Sequence, residues 1–384
     1  MNDQAVDRLE LTGQLRAALD GIMEWDRYHW NEQGVFEAYG HLSGPADKLY
    51  GTIRTRLEAL GFSTFLRREG DQDVITALPG VMKSSRPRIV LPIILFVLTI
   101  ISSTLIGALN ANPECLTDFG TSILKTLTTP QLLAAGLPFA GTLLGILLAH
   151  EMGHYIVGRI RKAPVSLPYF IPLPPPLSFT GTMGAVIVQR EPMQDRRTIL
   201  EIGLAGPFAG MLLAIPLLIY GLMTSPVGPP PAPPPGCPAG YIQEGNSLLY
   251  GGIKFLVYGR LLPSGGQDVQ LNPIAWGAWI GLLVTMLNLL PVGQFDGGHA
   301  AYALLGRHAD KLAYAVIGLC LALGVSVSQT WLVWGVLTLL VGPRHPPPLN
   351  DITPLNTGYK LFALAGLLLF VLLFMPVPIL EVIP

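Results

Sequence analysis

The chain has 384 residues, of which 24 are basic and 25 acidic, so 13% are charged, while 50% are hydrophobic. Ordinary soluble proteins carry about 25% charged residues, and so poor a supply of charge excludes a single soluble globule. A formal net charge of -1 also excludes the basic face a nucleic-acid binder needs, and three cysteines are too few for a disulfide framework or a thiolate metal site.

Charge is concentrated at the start: residues 1–88 hold 24 of the 49 charged side chains. Within residues 1–84 the pattern predicts a small cytoplasmic α/β head, with helical periodicity over Val6 to Met23 and Asp47 to Leu60 and strand-like runs at Val35–Tyr39 and Val74–Leu78. His29 beside Trp30 has no second ligand at metal spacing and reads as a packing or surface residue. The opening residues MNDQAVDRLE lack the apolar run of a signal peptide and the Arg/Ser character of a transit peptide.

From residue 85 onward the chain reads as a membrane body. Uncharged stretches at 89–109, 126–149, 202–222, 269–295 and 361–380 are each long enough to cross roughly 30 Å of hydrocarbon as a helix. Leu312 to Pro343 is uncharged but interrupted by Ser326, Ser328 and Gln329, so it is one kinked span or two short ones. The expected fold is an all-α membrane protein, a polytopic bundle of about six or seven transmembrane helices with a small membrane-associated β segment and the α/β head. Lys83, Arg86 and Arg88, and then Arg159, Arg161, Lys162, Arg190, Arg196 and Arg197, mark the cytoplasmic side. The loops at 110–125 and 223–268, with only Lys125, Lys254 and Arg260, face the other side, as expected for a bacterial inner membrane with the N-terminus cytoplasmic.

Two proline-dense segments punctuate the body. Ser225 to Pro238 reads as an extended linker, and Cys115 and Cys237 fall in far-side loops where a disulfide is permitted but not implied by spacing. Cys320, inside a span, reads as a small buried apolar residue. Ala163 to Phe179 is too apolar for a solvated loop and must be shielded by protein at membrane depth. Thr182 to Val188 then reads as a short strand.

The second span is expected to end in His150-Glu151-Met152-Gly153-His154. Histidines four apart on a helix are separated by about 40° around its axis, so both rings reach one cation, and Glu151 reaches a water beside it without being a ligand. A catalytic zinc site needs a third protein ligand and an open position. Asp296 is the only acid between Asp268 and Asp310, and Pro291 with Gly297-Gly298 is expected to break the helix and turn this carboxylate inward, on the same side as the histidines. His299, three residues on, is read as a supporting or surface histidine rather than a fourth ligand, and no role is derived for His345.

HEMGH at 150–154, the N-x-x-P-x-x-x-x-D-G pattern at 288–297 and the intervening Gly203-Leu204-Ala205-Gly206-Pro207 resemble the site-2 protease family of intramembrane zinc metalloproteases, over roughly residues 130–300. The FIPLPPP and GTMGA segments resemble its chloroplast and cyanobacterial branch. The resemblance implies one Zn²⁺ held by His150, His154 and Asp296, Glu151 as catalytic base, Asn288 in the catalytic cleft, and a transmembrane protein substrate cut within the lipid bilayer near the cytoplasmic face. This chain departs from other members in lacking a recognisable PDZ insert or CBS pair. From the residues alone, Thr182–Val188 is a candidate edge for holding an extended substrate, which proline at Gly184 or Val186 would test. Two other readings of the same ligands are a divalent-cation carrier and an inactive binding relative; one compact cluster with a base beside it favours hydrolysis over transport.

Overall fold

The computed structural model describes residues 3–81, 89–111, 119–230 and 241–382. The head begins with α1 (Asp3–Leu19), β1 (Met23–Trp30), β2 (Phe36–Leu42), α2 (Ala46–Ala59), β3 (Phe62–Glu69) and β4 (Gln72–Pro79). The strands form one antiparallel sheet in the order β1-β2-β4-β3. Leu15 and Leu19 of α1 and Ile53 and Leu57 of α2 pack with Phe36, Ala38, Leu66, Ile75 and Ala77 of the sheet in one core. The strand residues in that core are spaced by two, which is the signature of one covered sheet face. Sequence reading placed β2 and β4 and overlooked β1 and β3. The edge strand β1 has mostly polar, outward-facing side chains and a bulge between Trp25 and Arg27, so its alternation is blurred.

The body continues with α3 (Val90–Ala111), α4 (Phe119–Thr128), α5 (Pro130–Ala135), α6 (Leu137–Ile160), β5 (Tyr169–Pro172), β6 (Thr182–Val186), α7 (Arg196–Met223), β7 (Val227–Gly228), β8 (Tyr241–Glu244) and α8 (Leu248–Tyr258). After these come β9 (Asp268–Val269), α9 (Pro273–Asn288), α10 (Asp296–Leu305), a 3₁₀ turn (Gly306–His308), α11 (Ala309–Ser326), α12 (Gln329–Val341), α13 (Thr357–Leu373) and β10 (Ile379–Val382). Among the described residues four helical stretches are long and apolar enough to cross a membrane: Val90–Ala111, Pro130–Ile160, Arg196–Met223 and Asp296–Ser326. Four of the expected six or seven meet this criterion, and α8, α9, α12 and α13 are shorter apolar helices. The 269–295 run yields only α9, 16 residues long, whose side chains from Ala275 to Leu287 are almost all buried. It packs against α6 and α7, which enclose it. The 312–343 run resolves into two helices, α11 and α12, packed against each other and separated at Val327–Ser328.

The expected short strand is β6, and it pairs with β5 in a small hairpin that sequence reading did not foresee. Phe170 is buried against Phe96 of α3, ring centroids 4.7 Å apart, and Ser102 donates to the Gly181 carbonyl at 2.5 Å. The first half of the apolar 163–179 segment is thus covered by protein, whereas Leu177 and Phe179, at 72% and 43% exposure, are not, which corrects the expected shielding of the whole segment. On the far side β7 pairs with β9 and β8 with β10. The start of the proline-rich linker is thus part of a strand pair; its later residues, and Cys115 and Cys237, lie outside the described residues. Cys320 is buried, as expected. Lys254 is not a loop cation: it sits on α8 and is 0% exposed, 3.6 Å from both Glu244 and Asp268.

The head is fastened to the body through the segment between α12 and α13. Leu66 of β3 donates its N–H to the Leu349 carbonyl at 2.7 Å, Asp351 donates back to the Leu66 carbonyl at 2.9 Å, and Leu349 enters the head core.

Candidate metal centre and its cavity

His150 and His154 lie in the interior of α6, since the helix runs on to Ile160 and reverses only at Lys162, φ 56°. The motif was expected at a span's end. Tyr155 to Ile160 contain no proline, so the helix continues through Gly158 and the two rings are buried, at 2% and 5% exposure. Their centroids are 4.9 Å apart. α7 packs along α6 and completes the setting. His154 Nδ1 donates to the Ile202 carbonyl at 2.6 Å, which leaves its Nε2 as the bare, liganding nitrogen. Gly206 lies directly under that nitrogen, and any Cβ there would overlap it.

Asp296 arrives from the other side of α7. α9 stops at Asn288, a turn with Gly293 at φ 50° follows, and Asp296 opens α10. The expected break is present, but the left-handed residue is Gly293. Gly297 and Gly298 are helical and small because the Leu289 and Gly293 carbonyls press on them. Asp296 Oδ2 is 3.1 Å from His150 Nε2 and Oδ1 is 3.3 Å from His154 Nε2, and all three donors fall within 4.8 Å of one another. Tetrahedral zinc with bonds of about 2.0–2.1 Å separates its ligands by roughly 3.3 Å, so two imidazoles and one carboxylate at this spacing fit Zn²⁺ and leave a fourth position open. Among the described residues this is the one cluster that could hold a metal.

The centre opens into a cavity of 520 Å³. Glu151, 4% exposed, lines it, as do Asn288, Gln294 and the extended segment from Ala185 to Gln189. Asn288 Nδ2 is 3.4 Å from His150 Nε2. Among the described residues β6 is paired on one side only, by β5, and its continuation forms a cavity wall. Gly184 has φ 103° and its N–H is taken by Thr182 Oγ1 at 3.0 Å, so proline there would break the hairpin itself and Val186 is the better probe.

Sequence reading did not find Gln294, whose only signal is an amide in an apolar loop two residues before Asp296. It also missed the partnership of His299 with His345, 46 positions apart, whose rings meet at Nδ1···Nε2 2.7 Å. A second cavity, 590 Å³, lies remote from the metal donors, between the end of α3 and the far-side strands near Glu244 and Asp268.

The helical membrane body and the two-histidine, one-aspartate centre agree with the resemblance drawn from the sequence to intramembrane zinc metalloproteases. Residues 138–326 match the family model described as peptidase family M50. The chain is 33% identical over 306 residues to a protein of Arabidopsis thaliana described as probable zinc metalloprotease EGY1, chloroplastic, an alignment covering 75% of this chain and 53% of that protein. It is 32% identical over 260 residues to the Arabidopsis protein described as probable zinc metalloprotease EGY2, chloroplastic, covering 67% and 44%, and 27% identical over 372 residues to an EGY2 protein of Oryza sativa subsp. indica, covering 94% and 65%. The chain thus belongs to the site-2 protease family, in its chloroplast-type branch. It spans about half the length of the Arabidopsis EGY1 it matches. These relatives are plant chloroplast proteins and lend no support to the expected bacterial inner membrane. No solved structure matches.

Proposed function

We propose that the chain is an intramembrane zinc endopeptidase that hydrolyses peptide bonds of membrane-spanning proteins near the face carrying the basic residues, in regulated intramembrane proteolysis. The observation that carries this reading is the convergence of His150, His154 and Asp296 within 4.8 Å, with Glu151 in the same buried cavity. A bound Zn²⁺ supplies Lewis acidity, enough to polarise a peptide carbonyl and bring the pKa of water toward about 7. The Glu151 carboxylate takes the proton of the attacking water and returns it to the leaving amine. Asn288, beside His150, donates from its amide to the oxyanion or the substrate backbone. Helical peptide hides its carbonyls in hydrogen bonds, so the substrate must unwind, and the free edge of β6 receives it as an added strand. Residues 1–84 act as a head on the same side of the membrane as the cavity mouth.

The test is zinc content by elemental analysis together with cleavage of a model transmembrane peptide, for the full chain and Glu151→Gln in detergent. One zinc per chain in both, with cleavage in the parent only, is the expected result. Zinc without cleavage of any of several peptides would refute the protease reading, and zinc flux into liposomes would then point to a carrier. Val186→Pro is expected to lower turnover with zinc retained; unchanged turnover removes β6 from the mechanism.

A further inference from the structure

His299 and His345 take no part in the reaction as derived, yet both are built into its surroundings. His299 lies one helical turn after Asp296 on α10 and lines the cavity with Glu151 and Asn288. A Cβ on Gly203 of α7 would come within 2.6 Å of His299 Cβ and 3.0 Å of Cδ2, so the ring lies flat on a helix surface cleared for it. His345, on the segment between α12 and α13, is 8% exposed and stacks on Tyr302 with centroids 4.3 Å apart and planes at 21°.

The hydrogen bonds fix where the protons are. His345 Nδ1 is 2.6 Å from the Pro346 carbonyl, which only accepts, so Nδ1 carries a proton. Burial, and then the neighbouring His299, push the His345 pKa down to about 3, so the ring is neutral and its Nε2 is bare. The 2.7 Å contact between His345 Nε2 and His299 Nδ1 therefore uses a proton on His299 Nδ1. A neutral His299 then has a bare Nε2 on the opposite side of its ring, facing away from His345. This nitrogen has no hydrogen-bond partner among the described residues.

The arrangement that sets this tautomer is held firmly. Asp351 accepts from Arg196 Nε at 2.8 Å and from the Tyr302 hydroxyl at 3.2 Å. Leu349 and Asn350 donate to the carbonyls of Met193 and Gln194 at 2.8 and 2.9 Å, and His345 N–H points to Asp310 Oδ1 at 3.4 Å.

We propose that His299 is a substrate-binding residue, its bare Nε2 accepting a hydrogen bond from a backbone N–H of the bound peptide, and that His345 is a positioning residue that sets its tautomer. The proposal rests on the peptidase reading. A peptide strand paired with β6 along one edge presents its other edge to the rest of the cavity, where Met193, Ile202 and Val341 offer no side-chain acceptor and His299, beside the amides of Asn288 and Gln294, does. An acceptor there selects for an extended backbone regardless of side chain.

The experiment uses the zinc-loaded Glu151→Gln chain and measures binding of the transmembrane peptide that the parent chain cleaves, alongside peptides in which each backbone amide near the cleaved bond is singly replaced by an ester. His299→Asn keeps a polar group near Nδ1 and loses the one at Nε2; His299→Gln does the reverse. The expected result is about tenfold weaker binding for His299→Asn, near-parental binding for His299→Gln, and unchanged zinc stoichiometry in both. One ester should weaken binding to the parent and have no further effect on His299→Asn. His345→Phe keeps the stack on Tyr302 but frees the tautomer, and should weaken binding while zinc stays. Parental affinity in His299→Asn, loss of zinc in both His299 variants, or ester effects that simply add at every position would overturn the proposal. If His299→Asn does not fold, the ester scan on His345→Phe carries the same decision. Parent cleavage with these results reversed sinks only the role of His299, whereas no cleavage or binding by any chain sinks the peptidase reading with it.

Discussion

Two clusters of buried charge lie at opposite ends of the membrane body, and they are built on opposite principles. Around Lys254 the charges close on one another: the ammonium sits 3.6 Å from Glu244 and Asp268 and 4.6 Å from the Tyr250 ring, Tyr250 donates to Glu244 at 3.0 Å, and Gln243 donates to Asp268 at 2.9 Å. Around Asp296 the three potential ligands are aimed at one point beside a cavity, and Glu151 makes no hydrogen bond among the described residues. The first cluster sets one cation between two acids and holds the far-side strands to α8. The second is complete only with a cation, which separates a structural cluster from a working one.

The contrast is broken most sharply at the metal centre. Removing the base with Glu151→Gln is expected to lower turnover by about 10²–10⁴-fold with zinc retained, whereas Asp296→Ala or treatment with a chelator should abolish turnover through loss of zinc, as read by elemental analysis beside a peptide assay. Gly206→Ala tests whether the His154 ring needs its cleared floor: the added methyl overlaps Nε2, and zinc affinity should fall on the order of 10–100-fold in a competitive chelator titration. At the other cluster Lys254→Met leaves two buried carboxylates facing each other. The expected loss is about 3–5 kcal/mol of stability in detergent unfolding, with zinc still bound to the folded fraction. The smallest effect concerns pH. Burial raises the Glu244 pKa above the ordinary carboxylate value of about 4.3, against the pull of Lys254. A carboxyl that holds its proton more tightly when folded contributes stability that is full below that ordinary value and is lost as pH rises through its raised pKa. Glu244→Gln should flatten the unfolding midpoint over that window, and a midpoint that still falls there would assign the dependence to another group.

Much of the site was legible in the sequence because its signals are local or scarce. HEMGH places two rings on one helical face by spacing alone, and Asp296 stood out as the only acid in a long apolar stretch. The break between α9 and α10 was legible from Pro291, though the residue that bends the chain is Gly293. In the head, β2 and β4 announced themselves through runs of apolar and β-branched residues, while β1, with its bulge and outward polar side chains, did not. The span count was legible for the four long apolar helices, whereas the 16-residue α9, enclosed in protein, falls short of the same length criterion. Lys254 was misplaced for the converse reason: a lone cation in a loop-like stretch carries no mark of the two carboxylates that fold around it.

By itself the sequence determined that this is a membrane protein with a polar head, that residues 150–154 lie on a helix and that Asp296 is the available third donor, since periodicity, hydropathy and composition act over a few turns of chain. Only the tertiary structure decided that the HEMGH helix runs on past its motif, that α9 is enclosed by its neighbours, and that a bare glycine on α7 lies beneath each of two histidines. It alone brought His345 to His299 and tied the head to the segment that carries His345. These are contacts between residues tens of positions apart, fixed by helix packing and hydrogen bonding in three dimensions, and no local pattern encodes them.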